Sequence, residues 1–186
     1  MSHQLAKRWF TVGEYNRMAQ AGILTQDDRV ELIEGEIVRM SPIGSRHAGC
    51  VNRLNVLLSS QAGHSFIVSV QNPIVADDYS APQPDIAVLR MREDFYGEEH
   101  PKPEDVLLAI EVADPTVESD RSVKMPLYAR AGIPEAVLVN LPHDVIEIHS
   151  EPVNSQYQSV RILRRGETFA SKTILHLKLS VDAILG

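Results

Sequence analysis

Val106-Leu107-Leu108-Ala109-Ile110-Glu111-Val112-Ala113 is the stretch on which the reading of this chain turns. Its nearly continuous apolar run is that of a strand covered on both faces. Glu111 breaks the pattern. An ionised carboxylate inside such a strand loses its hydration, at a cost of several kcal/mol unless something compensates. A cation, a metal or a strand end opening on a cleft would each resolve that cost, as would a frayed strand end turned to water.

The pattern on either side of this strand sets the fold class. Downstream, a helical segment over about 119–131 stops at Gly132, whose missing Cβ suits a helix C-terminal cap, and 136–140 is another buried strand. Upstream, 85–89 and 65–71 read as strands, the latter continuing through 73–76 with a bend at Pro73. Before them, Ser45 caps a helix whose Val51, Leu54, Leu57 and Leu58 fall at 3-4 spacing before a stop at Gly63. Residues 30–40 alternate on both sides of Glu34-Gly35, which predicts a tight hairpin with Gly35 at positive φ. Thr11 and Glu14 form a capping box for a short first helix. Segments 145–149, 157–163 and 173–179 read as peripheral strands before a last helical turn near 181–185. The core order of helix, three strands, helix, strand is a mixed α/β fold around a central sheet.

At 186 residues, with 44% hydrophobic and 23% charged residues, the chain is sized and composed for one soluble globular domain spanning 1–186. No apolar run approaches the roughly 20 residues that span a bilayer, and the N-terminus lacks a secretory pattern. The single cysteine, Cys50, excludes an internal disulfide and a cysteine zinc cluster and reads as a core residue. A cytoplasmic location is expected. The net charge of −7 argues against simple coating of nucleic acid. The charge is uneven: residues 151–186 carry a balance of +2 and the first 150 residues −9. Part of that excess lies in a run from Glu93 to Asp105, expected to be a solvated loop.

Two further residues share the address of Glu111. Asp85 follows Pro84 at the start of its strand, and two carboxylates at neighbouring strand ends can hold one divalent cation between them. A turn residue after proline is the alternative use of Asp85. Lys124 lies thirteen residues beyond Glu111, on the helix that packs back across the sheet. Its alternative is an i, i+4 pair with Asp120 on a solvated face, worth roughly 0.3–0.5 kcal/mol. Aspartate, glutamate and lysine on successive elements make a constellation suited to metal-assisted hydrolysis.

With these residues in order, the chain resembles the bacterial restriction-endonuclease-like family often labelled Uma-two, within the PD-(D/E)xK nuclease superfamily. The resemblance covers about residues 28–150. It rests on Val30-Glu31-Leu32-Ile33-Glu34-Gly35-Glu36, His47, Pro84-Asp85-Ile86-Ala87-Val88, Ala109-Ile110-Glu111-Val112-Ala113-Asp114-Pro115-Thr116, Asp120-Arg121, Lys124 and the run from Tyr128 to Glu135. It implies a restriction-endonuclease-like αβββαβ core over about 28–150, with an N-terminal hairpin and a β-rich C-terminal addition over 151–186. It further implies a Mg²⁺- or Mn²⁺-dependent deoxyribonuclease acting on DNA, with Asp85 and Glu111 as metal ligands aided by the Val112 carbonyl. Lys124 would act on the attacking water or the phosphate. Glu31 is a fourth acidic candidate, the alternative being a solvent-facing hairpin residue. His47 is placed to contact phosphate or to order a carboxylate.

The superfamily lysine position, two residues after the glutamate, is Ala113 here, and Lys124 matches the place to which the family moves its lysine. Pro126 would kink that helix or delay its start. Ala136, Val137 and Asn140 stand where the family often has aromatics and an acid. Tyr128 reads as a packing residue with its hydroxyl at the rim. Arg161, Arg164 and Arg165 are the expected peripheral DNA contacts, and a homodimer would complete the surface. The competing expectation is a nuclease-fold module without turnover that binds nucleic acid or a protein partner.

Overall fold

The apolar run containing Glu111 is the third strand of a six-stranded sheet, in a computed structural model that describes residues 7–114 and 116–186. Residues 1–6 of the N-terminal reading, and Pro115 of the Asp114-Pro115-Thr116 motif, lie outside the described residues. The sheet takes β3 (Phe66–Val70), β4 (Ile86–Arg90), β5 (Val106–Ala113), β6 (Glu135–Asn140), β7 (Val145–Val153) and β8 (Gln156–Arg164) in sequential order. All neighbours are antiparallel except β5 and β6. Parallel strands need a long crossover, and here it is built from α3 (Val117–Ser119), a π-helical turn (Asp120–Lys124) and α4 (Met125–Ala131).

β5 is covered on both faces, as its composition requires. Leu108, Ile110 and Val112 pack with Leu54 and Leu58 of α2 (Ser45–Ala62), while Ala109 and Ala113 pack with Met125 and Tyr128 of α4. Cys50 is fully buried in the α2 layer, where burial pushes its thiol up to about 11. The first residue of α2 is Ser45, and Gly44 occupies the cap position without a side-chain bond, so the Ser45 cap is corrected by one residue. Thr11 and Glu14 do form the reciprocal box on α1 (Val12–Gln20).

The hairpin of β1 (Val30–Ile33) and β2 (Glu36–Arg39) turns on Glu34 and Gly35, both at positive φ. It stands apart from the large sheet and is tied to the segment between β3 and β4 by the Ala81 N–H, which donates to the Leu32 carbonyl at 2.8 Å. The expected continuation of β3 through 73–76 is irregular instead. Its N–H groups are taken up by the carbonyls of Pro82, Pro101 and Ser80, as a chain leaving a proline can do without a strand partner.

The C-terminal region departs most from its reading. Two of the segments expected to be peripheral extend the central sheet as β7 and β8. Of the stretch 173–179, residues 173–177 are a loop and Lys178-Leu179 open β10 (Lys178–Ser180), which pairs with β9 (Thr168–Ala170). Phe169, Ile174, Leu177, Leu179 and the α5 residues Ile184 and Leu185 (α5, Val181–Leu185) complete the α2 side of the core. Spacings of 3 and 2 among Ile174, Leu177 and Leu179 bury apolar groups without a strand's alternation.

Gly35 shows how tightly the hairpin is seated. Its φ is +80°, and a Cβ placed there would lie 2.8 Å from the Trp9 Cβ. Gly35→Ala is therefore expected to destabilise the protein by about 1–3 kcal/mol, read as a lowered urea midpoint with unchanged slope.

Candidate active site

Five titratable side chains from four separate elements converge on one cavity of about 460 Å³, lined by Glu31, Asp85, Glu111, Asp120 and Lys124 together with His47. Glu31 comes from β1, Asp85 from the turn before β4, Glu111 from β5, and Asp120 and Lys124 from the π-helical turn. They are deeply set: Glu31 is 6%, Glu111 3%, Asp120 7% and Lys124 9% exposed.

Lys124 is the centre of the arrangement. Its Nζ lies 3.3 Å from Glu31 Oε2 and 3.3 Å from Glu111 Oε1. Glu31 Oε2 also accepts the Gln83 backbone N–H at 3.0 Å, and Glu111 Oε1 accepts the Tyr128 hydroxyl at 2.5 Å. The alternative reading of Lys124, a solvated pair with Asp120, is not what forms: no Asp120–Lys124 ion pair occurs among the described residues. Asp120 is buried and accepts the Thr116 hydroxyl at 2.6 Å.

Asp85 is held by three donors. His47 Nε2 lies 3.0 Å and Val112 N–H 2.8 Å from Oδ2, and the Gln71 side-chain amide lies 3.2 Å from Oδ1. In a strand, a residue's N–H and C=O point the same way. The Val112 carbonyl therefore faces the β4 side, where Asp85 sits.

Electrostatics follow from this crowding. Burial pulls the Lys124 ammonium toward neutrality, but Glu111, Glu31, Asp120 and Asp85 outweigh it and the net shift is upward. Burial raises the Glu111 carboxyl well above the carboxylate range. Lys124 opposes that rise, and Asp85, Asp120 and Glu31 add to it. One ammonium cannot neutralise this much acid. The Lys124 ammonium is thereby favoured, and burial favours the protonated form of Glu111. Burial also raises Asp120. His47 is raised by its bond to Asp85, against burial, while its Nδ1 is buried without a partner.

The donors present are oxygen atoms, the kind that suits Mg²⁺ or Mn²⁺. Asp85, Glu111 and the Val112 carbonyl make a two-carboxylate set that water would complete. Among the described residues, no group of three or more His, Cys, Asp or Glu side chains forms a ready metal cage. Glu111 Oε2 takes no hydrogen bond from the described residues, so an oxygen remains for such an ion.

The sequence missed three features. Tyr128 is fully buried, with its hydroxyl on Glu111 rather than at the rim. Its signal was the four-residue spacing from Lys124, which puts both on one helix face. Asp120 was read only as an ion-pair partner. Finally, Arg121 grips the buried Glu147 of β7 through Nε at 3.1 Å and Nη2 at 2.5 Å, and the Asn140 amide supports Glu147 at 3.3 Å. Glu147 lies in the cross-strand row Glu111–Leu138–Glu147, so this clamp fixes the π-helical turn relative to Glu111.

Pro126 accounts for the turn itself. Met125 N–H reaches back five residues to the Asp120 carbonyl, and α4 begins at Met125 with proline in its first turn, where no N–H is needed. Ala113, at the usual superfamily lysine position, is fully buried in the apolar cluster with Val117 and Met125. A lysine has no room there.

Glu34 and Glu36 are surface groups paired with Arg130 and Lys7. Arg165 bonds Asp182 and the Gly186 carbonyl, whereas Arg161 and Arg164 make no ion pair among the described residues.

Comparison with known proteins identifies the family and the fold. The model of the Uma2 family, described as "Putative restriction endonuclease", matches residues 12–183. No curated protein matches the chain. The crystal structure of a "putative nuclease belonging to DUF820" from Anabaena variabilis superposes with a TM-score of 0.70 at 16% identity, over 95% of this chain and 97% of that one. At that identity the likeness is one of fold. No helix among the described residues is long and apolar enough to cross a membrane.

Removing Lys124 strips the counter-charge from a buried acid cluster, which commonly costs about 3–5 kcal/mol. That is far above the few tenths of a surface pair. With the ammonium gone, the buried Glu111 and Asp120 carboxyls, already raised by burial, bind protons more tightly folded than unfolded, so stability falls as pH rises through that window. Lys124→Ala is expected to lose more stability at pH 8 than at pH 5 in denaturant melts. A loss that is equal at both would place the carboxylates in water.

Proposed function

The chain belongs to the Uma2 family, and on that premise we propose that it is a metal-dependent endonuclease hydrolysing phosphodiester bonds of DNA. The observation that carries the reading is the Lys124 ammonium suspended 3.3 Å from both Glu31 and Glu111 in a cavity that also receives Asp85 and Asp120.

Asp85, Glu111 and the Val112 carbonyl would hold Mg²⁺ or Mn²⁺, which acts as a Lewis acid on the phosphate and lowers the pKa of the attacking water. The other groups act on geometry and charge. His47, Gln71 and the Val112 N–H fix the Asp85 carboxylate in one orientation. Tyr128 holds Glu111 from behind. Lys124 faces the same space and offers a fixed positive charge to the non-bridging oxygens as negative charge builds on phosphorus. Since Lys124 has two partners, it can turn from Glu111 toward substrate while Glu31 retains it. Glu31, Glu111 and Lys124 are buried, and the lower local dielectric strengthens each of these interactions.

One observation favours the second reading, a module that binds nucleic acid without turnover: the absence of a ready cage of three metal-ligating side chains among the described residues. Asp85→Asn separates the two. Asparagine keeps the volume and two of the acceptor sites but weakens cation binding. Mn²⁺ is expected to raise the wild-type melting temperature by mass action, and the variant is expected to lose most of that rise. Nicking of supercoiled plasmid should slow by about 10²-fold or more. A wild-type protein with neither a cation-dependent melting shift nor scission is the binding module.

A further inference from the structure

We propose that the cavity adjoining the reacting carboxylates is a subsite for an unpaired nucleobase, which makes single-stranded or splayed DNA the preferred substrate over the interior of a duplex. The inference rests on the nuclease reading and deepens it by naming the substrate class.

A second cavity of about 720 Å³ opens directly beside the first, within the range of small-molecule sites. The two share Arg29, Met40, Ile43, Gln71 and Gln83, so whatever enters one continues into the other. Beyond this junction the walls are largely apolar, with Tyr15 and Leu24 among them, as a base face requires. The junction itself is polar. Gln71 and Gln83 use their amide N–H groups on Asp85 and on the Val30 carbonyl, and neither amide oxygen takes a hydrogen bond from the described residues. Two free acceptors therefore stand where the exocyclic amine or ring N–H of a base would arrive.

Charge and depth decide between strand forms. Glu31, Glu111, Asp120 and Lys124 lie at the floor of a recess and are each less than one-tenth exposed, with Asp85 half-buried beside them. Arg29 and Arg39 line its mouth from the hairpin, and neither has an ion-pair partner among the described residues. Two free guanidiniums on a region of charge −9 can neutralise few phosphates. Duplex DNA carries about one charge per 1.7 Å of axis and a single strand about half that density. The repulsion is thus weaker for a single strand. A paired base must also be unstacked before it can enter a side cavity, at a few kcal/mol, whereas an unpaired base is already available. Backbone in the first cavity, flanking phosphates on Arg29 and Arg39, and a base against Tyr15 and Leu24 account for both cavities with one occupant.

The experiment measures binding in EDTA, where cleavage plays no part. A fluorescein-labelled oligothymidine is expected to bind about ten-fold or more tightly than a blunt duplex of the same length, and replacing its bases by abasic residues should lose a comparable factor. Ile43→Trp, at a loop side chain on the cavity wall, should fill the space and weaken oligothymidine binding. The double variant Arg29→Ala, Arg39→Ala should lower the salt slope by about 1–2. Melting curves establish that each variant is folded. Duplex bound as tightly as oligothymidine, or abasic DNA bound as tightly as both, overturns the subsite. Plasmid scission alongside equal duplex binding overturns it while leaving the nuclease reading intact. Tight, base-dependent binding of single strands without scission under Mn²⁺ supports it and sinks the nuclease reading instead.

Discussion

Lys124 Nζ rests between Glu31 and Glu111, and both carboxylates are buried because it does. Moving any one of these ions out of water costs several kcal/mol. The cost is offset only when the hairpin, the central strand and the crossover meet within ion-pairing distance. The contact therefore does more than decorate a cleft. It ties β1, which has no strand partner in the large sheet, to β5 near its C-terminal end. The seats of Gly35 against Trp9 and of Leu32 on Ala81 bring the hairpin to that meeting point.

The crossover solves a geometric problem. A parallel β5–β6 pair needs a helix between its strands, and Pro126 forbids that helix an ordinary interior where it stands. A π-helical turn over Asp120–Lys124 widens the backbone before the proline, and α4 restarts beyond it. The widened turn brings Asp120 and Lys124 into the cavity while Arg121 faces β7. Glu147 receives Arg121 there, so the turn is anchored at one side by an ion pair and at the other by the acid cluster. With Ala113 packed against Val117 and Met125, the ammonium could not arise from the strand itself. The turn supplies it.

Much of this was legible in the residues. The apolar run around Glu111 announced a doubly covered strand, Glu34-Gly35 a hairpin turn, and Asp85, Glu111 and Lys124 a shared site. What escaped detection was non-local. Glu147 reads as the polar member of an alternating strand, and only the sheet register sets it beside Leu138 and Glu111. Tyr128 looks like any aromatic on an amphipathic helix until its hydroxyl is seen on a carboxylate. Glu31 was open between cavity and solvent because hairpin alternation fixes which residues share a face, but not what that face meets. The C-terminal residues misled for a related reason: Ile174 and Leu177 fill the core from a loop, where no periodicity reports burial.

The two partners of Lys124 are not equivalent, and the difference bears on how the site can work. Glu31 is held by a backbone N–H of Gln83, a donor fixed by the chain, whereas Glu111 is held by a phenol and has its other oxygen free of described donors. Burial also drives its carboxyl toward the neutral form. On the function proposed above, a phosphate would bring new negative charge into the recess, and Lys124 could shift toward it without becoming unpaired, because Glu31 remains. Glu111 then gives up part of a counter-charge that it can replace with a proton or an incoming cation. A site with one acidic partner would have to break its buried ion pair to engage substrate, exposing the uncompensated charge that makes such a break so costly. Two carboxylates around one ammonium avoid that penalty, which is the physical reason for a glutamate on the hairpin as well as one on the central strand.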